Sequence, residues 1–124
     1  MSKQINDFRY WILVRQLVDQ LQIPGTVESI SYGTSSFKVK SSFLCRILED
    51  GKTMVIHAND RDELLTPDRQ DVYFVTDHYK NYPYVLVRLD KIKRKDLKAL
   101  LLKCWKEVAP SRLLKEWEDR GKTV

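Results

Sequence analysis

The sequence predicts an α+β fold: an N-terminal helix, an antiparallel sheet of about five strands with a short helix inserted, and two C-terminal helices. Three observations predict it. Apolar residues recur at spacings of three and four near both ends of the chain, the middle holds short alternating runs, and Gly, Pro and Asp-Gly steps punctuate those runs. Helices segregated from strands along the chain define this class. The 124 residues read as a single domain, and a chain of that size buries roughly two-thirds of its extended surface, enough for one core without metal or disulfide staples.

The elements follow in order. Asn6 to Gln22 reads as a helix, with Trp11, Val14, Leu17, Val18 and Leu21 on one face and Asn6 or Ser2 as the cap. Ile23-Pro24-Gly25 stops it. Ile5, Phe8 and Ile12 form a second, narrower stripe, which suits either a covering helix or a dimer or partner surface. Strand-like runs follow at Ser29–Gly33, Phe37–Val39 and Phe43–Leu48. In the last of these Arg46 alone interrupts the apolar residues, while Phe43, Cys45 and Ile47 share one side by alternation. Asp50-Gly51 marks a hairpin, because both residues tolerate positive φ, and Thr53–Ala58 is the returning strand. Asn59–Leu65 reads as a short helix ended by Thr66-Pro67-Asp68, and Val72–Val75 and Tyr84–Leu89 as two further strands. Leu97, Leu100, Leu101, Cys104, Trp105 and Val108 fall in a narrow arc of a long helix. Ala109-Pro110 breaks it and starts another, whose apolar face is Leu113, Leu114 and Trp117 and whose end Gly121 caps.

Composition excludes several classes. The longest apolar run, Tyr10 to Val14, is far short of the ~20 residues that span a membrane. MSKQINDFRYW lacks the apolar core and cleavage site of a secretory signal, and two cysteines make neither a disulfide framework nor a four-thiolate zinc site; together these predict the cytoplasm. Cys45 and Cys104 fall on core-facing positions, which argues against a thiolate nucleophile. His57 and His78, with Asp77, are a poor metal set, and Asp60, Asp62, Glu63, Asp68 and Asp71 lack the glycine and terminal glutamate of a calcium loop. With only four scattered glycines there is no phosphate-cradling loop. The expectation is no enzyme, no metal and no cofactor.

Charge is uneven. Residues 1–79 carry nine basic and eleven acidic side chains, whereas residues 80–124 carry thirteen and six, within a net charge of +5. The densest basic stretch, Lys91, Lys93, Arg94, Lys95 and Lys98, sits where a helix begins, so backbone N–H groups and cations together suit a phosphate. The same run suits a solvated helix face, partly paired with Glu107, Glu116 and Glu118. Just upstream, Tyr79, Lys80 and Tyr82 interleave rings with a cation, a pattern that stacks on bases; those rings equally suit packing over a sheet edge with Pro83 fixing the turn. Neither a helix-turn-helix nor a zinc-ligand spacing is present, so binding to DNA or RNA would be weak, electrostatic and poor in sequence preference.

Ile23-Pro24-Gly25, Tyr32-Gly33 before Phe37-Lys38-Val39, Asp50-Gly51, Asp77-His78-Tyr79, Pro83 with Val85-Leu86-Val87-Arg88-Leu89, and Trp105 with Ala109-Pro110-Ser111-Arg112-Leu113 occur in an order that resembles the MmcQ/YjbR-like family of small bacterial proteins, over nearly the whole chain. Two departures stand out: Lys40-Ser41-Ser42 lacks the glycine expected between two strands, and Cys104 replaces an alanine. The resemblance implies a YjbR-like antiparallel sheet backed by helices, similar to small chaperone-like and frataxin-like domains, and carries the label of a DNA-binding protein without a mechanism. The competing expectation is a chaperone-like protein-interaction module that uses the sheet face or the N-terminal helix. In either case no membrane partner is expected, and the chain would be a monomer or a weak homodimer.

Overall fold

Alternation in the middle of the chain and helical periodicity at its ends build two layers. A computed structural model describes residues 8–122. Helix α1 (Arg9–Leu21) precedes strands β1 (Thr26–Ser31), β2 (Thr34–Val39), β3 (Ser42–Ile47), β4 (Thr53–His57), β5 (Tyr73–Phe74) and β6 (Tyr84–Arg88); helices α2 (Arg94–Val108) and α3 (Ser111–Lys122) close the chain. The α+β class is as expected, with six strands rather than about five. All neighbours pair antiparallel in the order β1-β2-β3-β4-β6-β5.

One face of the sheet is covered by helices. Trp11, Val14, Leu17 and Val18 of α1 and Leu97, Leu100, Leu101, Cys104 and Trp105 of α2 are buried with Phe37, Val39, Met54, Ile56, Val85 and Val87. Trp11 stacks on Phe37 at 5.1 Å, and Trp105 meets Trp117 of α3 at 6.0 Å. Gly25 has φ +74°, a backbone that favours glycine, and a Cβ there would run into the Cδ1 of Leu113, so a larger residue would strain the turn and displace the Leu113 side chain of α3.

Several local expectations are corrected. Helix α1 begins at Arg9 with Phe8 at its N-cap and no side-chain capping bond; Ser2, Ile5 and Asn6 lie outside the described residues. Strand β1 starts three residues before Ser29 and β2 three before Phe37, because the two-residue turn Tyr32-Gly33 lets the ladder run on both sides of it. Both turn residues have positive φ, 52° and 83°, the twist that a tight hairpin needs. The β3–β4 hairpin closes on a Leu48 N–H to Thr53 carbonyl bond, so its loop is four residues rather than two. Asn59–Leu65 holds only a single 3₁₀ turn at Arg61–Glu63, and Val72–Val75 shrinks to the two-residue edge strand β5. Gly121 lies inside α3 instead of capping it.

The correction that matters most is a β-bulge. Phe37 pairs with Cys45 but Lys38 pairs with Phe43, so Leu44 is an extra residue on β3. Leu44, Cys45 and Ile47 all join the helix-side core. Phe43 and Arg46 are therefore turned to the opposite face, which overturns the grouping of Phe43 with Cys45 and Ile47.

Candidate functional site

The face of the sheet away from the helices is where the unusual residues collect. Arg46 pairs with Val55, Val55 with Leu86, and Leu86 with Phe74, so these four side chains form one row across β3, β4, β6 and β5. Phe43 and Tyr84 meet beside that row, with ring centroids 5.3 Å apart. The segment between β5 and β6 then folds over the face. Its Tyr79 lies 6.1 Å from Tyr84, and its Tyr82 stacks on Tyr84 at 5.9 Å with the rings 11° from parallel. Tyr32, at the tip of the β1–β2 turn, closes the far side. Together Tyr32, Phe43, Arg46, Val55, His78, Tyr79, Tyr82 and Tyr84 line a cup of about 400 Å³.

Arg61 sets the shape of that cup. Its guanidinium donates to the carbonyls of Tyr79, Tyr82 and Tyr84 through Nη1, at 3.1, 2.6 and 2.8 Å, and to that of Lys80 through Nη2 at 2.5 Å. The Tyr79 and Tyr82 carbonyls also accept the backbone N–H groups of Tyr82 and Tyr84, so the guanidinium adds charge-assisted bonds to these local turns and ties four carbonyls of the loop to one side chain. No motif marks such a residue in a sequence, and reasoning from the sequence misses it. Arg46, in contrast, is visible as the one polar interruption of β3.

Arg46 is only 9% exposed. Its Nη1 donates to Thr34 Oγ1 at 2.8 Å and its Nη2 to the Tyr79 hydroxyl at 3.4 Å, and the guanidinium sits 5.3 Å from the centre of the Tyr32 ring. Arg46 has no carboxylate within 4.0 Å among the described residues. Burial pushes the Tyr84 hydroxyl above its ordinary pKa, and the phenols of Tyr32, Tyr79 and Tyr82 push it the same way, so it is a neutral hydroxyl at pH 7.

The basic segment lies elsewhere. Lys91 and Ile92 donate backbone bonds to the Arg88 carbonyl, placing Lys93 and the start of α2 at the Arg88 end of β6, whereas the cup is at its Tyr84 end, ~13 Å of strand away and on the other face. The structure thus separates Lys91, Lys93, Arg94, Lys95 and Lys98 from Tyr79 and Tyr82. Lys80 shares the loop, but its side chain is exposed and does not line the cup. Lys91, Lys93, Arg94 and Lys95 are exposed and Lys98 half-buried, and none has a carboxylate within 4.0 Å among the described residues. Lys91 and Lys93 line a groove of about 390 Å³ that also holds Arg69, Asp68, Asp71 and Asp96, so the acidic middle partly faces the basic third. Glu107 and Glu116 pair with Lys103 and Arg120, not with the Lys91–Lys98 stretch.

The remaining candidates make no site. Cys45 and Cys104 are buried; burial pushes the Cys104 thiol up to about 12 and the Cys45 thiol further, so neither forms a thiolate at pH 7. His57 bonds Asn59 through Nε2 at 3.0 Å, and His78 sits edge-on to Tyr79. Asp60 lies 3.8 Å from Lys103, and Asp68 accepts from Thr66 Oγ1. Among the described residues no three His, Cys, Asp or Glu side chains gather as metal ligands, and no helix is long and apolar enough to cross a membrane.

Fold and site together define an α+β protein with a helix-covered sheet face and an aromatic, arginine-bearing open face. No family model matches the chain. Over 50 residues it is 44% identical to an uncharacterized protein of Mycobacterium bovis and to uncharacterized proteins of two Mycobacterium tuberculosis strains. The matched stretch is 40% of this chain and spans 39% of the length of each relative.

Proposed function

We propose that the protein is a non-catalytic, cytoplasmic nucleic-acid-binding protein of the MmcQ/YjbR-like group, and that its contact is electrostatic, through the start of α2. The observation that carries this reading is the set of five cations, Lys91, Lys93, Arg94, Lys95 and Lys98, none of them within 4.0 Å of a carboxylate among the described residues. Asp96 in the first turn of α2 offsets only part of that charge. Phosphates meeting these side chains release counterions, so affinity falls steeply with salt.

The test is fluorescence anisotropy of labelled single-stranded and duplex DNA and RNA across a salt series. The wild type is compared with a Lys93→Ala, Arg94→Ala, Lys95→Ala triple variant. The reading expects binding whose salt slope drops by about 2–3 in the variant, because each cation removed leaves one phosphate with its counterion. Absence of binding at low salt overturns it.

A second reading, a protein-interaction surface, is favoured by one observation. Phe8 and Ile12, on the side of α1 away from its buried stripe, are 61% and 46% exposed. So short an apolar patch suits a monomer or a weak homodimer.

A further inference from the structure

The open face poses a problem that neither reading above resolves. Arginine stays protonated in proteins, and burying a cation without an opposite charge is costly unless other groups replace its water. Arg46 is nine-tenths buried, yet its two hydrogen-bond partners, Thr34 Oγ1 and the Tyr79 hydroxyl, are neutral, and the second bond is long at 3.4 Å. A guanidinium has five N–H donors, so several remain for something else. Above it stands the cup of about 400 Å³, in the range of small-ligand pockets.

We propose that this cup binds a small oxyanion carried on a flat aromatic ring, with the anion on Arg46 and the ring among Tyr79, Tyr82 and Tyr84. Three features support that class of ligand over a bare anion or a bare ring. The guanidinium is a planar fork that matches a carboxylate or phosphate edge with two parallel bonds. Tyr82 is 54% exposed and lies parallel to Tyr84, so one of its faces is open to an incoming ring. Tyr32, carried on the β1–β2 turn, is 85% exposed, so its ring is open to a ligand. Its ring lies 5.3 Å from the buried guanidinium, at the rim of the cup. Arg61 holds the loop in place before any ligand arrives, so binding does not have to order it.

The cup lies on the face opposite α2, so this inference and the nucleic-acid reading fail independently. The test uses the isotope-labelled full chain, with amide and arginine side-chain NMR signals followed during titration. The two ring-bearing anions are phenylacetate and adenosine 5′-monophosphate. Phenylacetamide and adenosine supply the ring alone, acetate and inorganic phosphate the anion alone. At least one ring-bearing anion is expected to saturate and shift Arg46, Tyr79 and Tyr82 roughly tenfold more tightly than both of its halves, the gain expected of a charge-assisted hydrogen bond. Which one does so tells a carboxylate ligand from a phosphate one. Arg46→Gln is expected to lose roughly tenfold in affinity. Tyr82→Ala, at an exposed position that leaves the fold intact, loses several-fold. No saturation by either ring-bearing anion, equal binding of the ring alone or the anion alone, or unchanged affinity in both variants overturns the proposal.

Discussion

The two faces of the sheet are made by the same strands and finished in opposite ways. Toward the helices, Leu44, Cys45, Met54, Ile56, Val85 and Val87 are buried against one another and against α1 and α2, with no charged side chain among the buried residues there. On the open face, Val55 and Leu86 are buried as deeply, but the row they belong to also contains Arg46 and is roofed by rings from a loop. The first face is built for stability. The second holds a cation where an apolar residue would pack more cheaply, and that cation is what the proposed ligand site rests on.

The helix side is expected to respond most strongly to a single substitution. Gly25→Ala forces a left-handed alanine and a side-chain collision with Leu113 in one step, and about 2–4 kcal/mol of stability is expected to be lost in urea denaturation. A smaller effect is expected on the open side. Arg61→Ala removes four hydrogen bonds to loop carbonyls, costs about 1–3 kcal/mol, and exposes the amides of residues 79–84 to faster hydrogen exchange while the helix-side core stays protected.

Smaller still is the hairpin that carries β3 into β4. Burial raises the pKa of the Asp50 carboxyl, but the Lys52 N–H, the Thr53 hydroxyl and N–H, and the Lys52 charge outweigh it and hold the carboxyl below the usual range. A depressed pKa gives stability that is complete above the ordinary carboxylate range, near pH 4, and is lost as pH falls through the folded value. Asp50→Asn is therefore expected to cost about 1 kcal/mol or less at pH 7. That gap narrows below roughly pH 4 in melts across a pH series.

Much of the helix side is legible in the sequence. The stripe Trp11, Val14, Leu17, Val18 and the arc Leu97 to Trp105 are periodic over several turns, and tertiary packing uses both faces as written. Residues whose backbone departs from their usual preferences are not legible. Tyr32 and Lys40 both adopt positive φ, 52° and 58°, in tight turns where glycine is the usual signal, so the strands flanking Tyr32 run longer than their composition suggests. Lys40 stands in the very turn where the family resemblance implies a glycine. The extra residue Leu44 is invisible to an alternation rule, since a bulge changes the face of everything before it without changing composition. That single residue hides the cup: with strict alternation Phe43 belongs to the core and Arg46 stands alone. Of the candidate residues, Tyr79 and Tyr82 line a cavity, while Lys91, Lys93, Arg94 and Lys95 are exposed, Lys98 is half-buried, and none of the five lines it.

In the proposed ligand site, Arg46 is kept for what it binds and not for what it stabilises. The most direct measurement is the thermal melt of Arg46→Met beside the wild type, without added ligand. Methionine fills similar volume and removes a buried cation that has no carboxylate partner among the described residues, so the melting temperature is expected to stay level or rise. A fall of several degrees, the size that truncating a core side chain produces, would contradict the claim and make Arg46 a structural residue held by Thr34 and Tyr79.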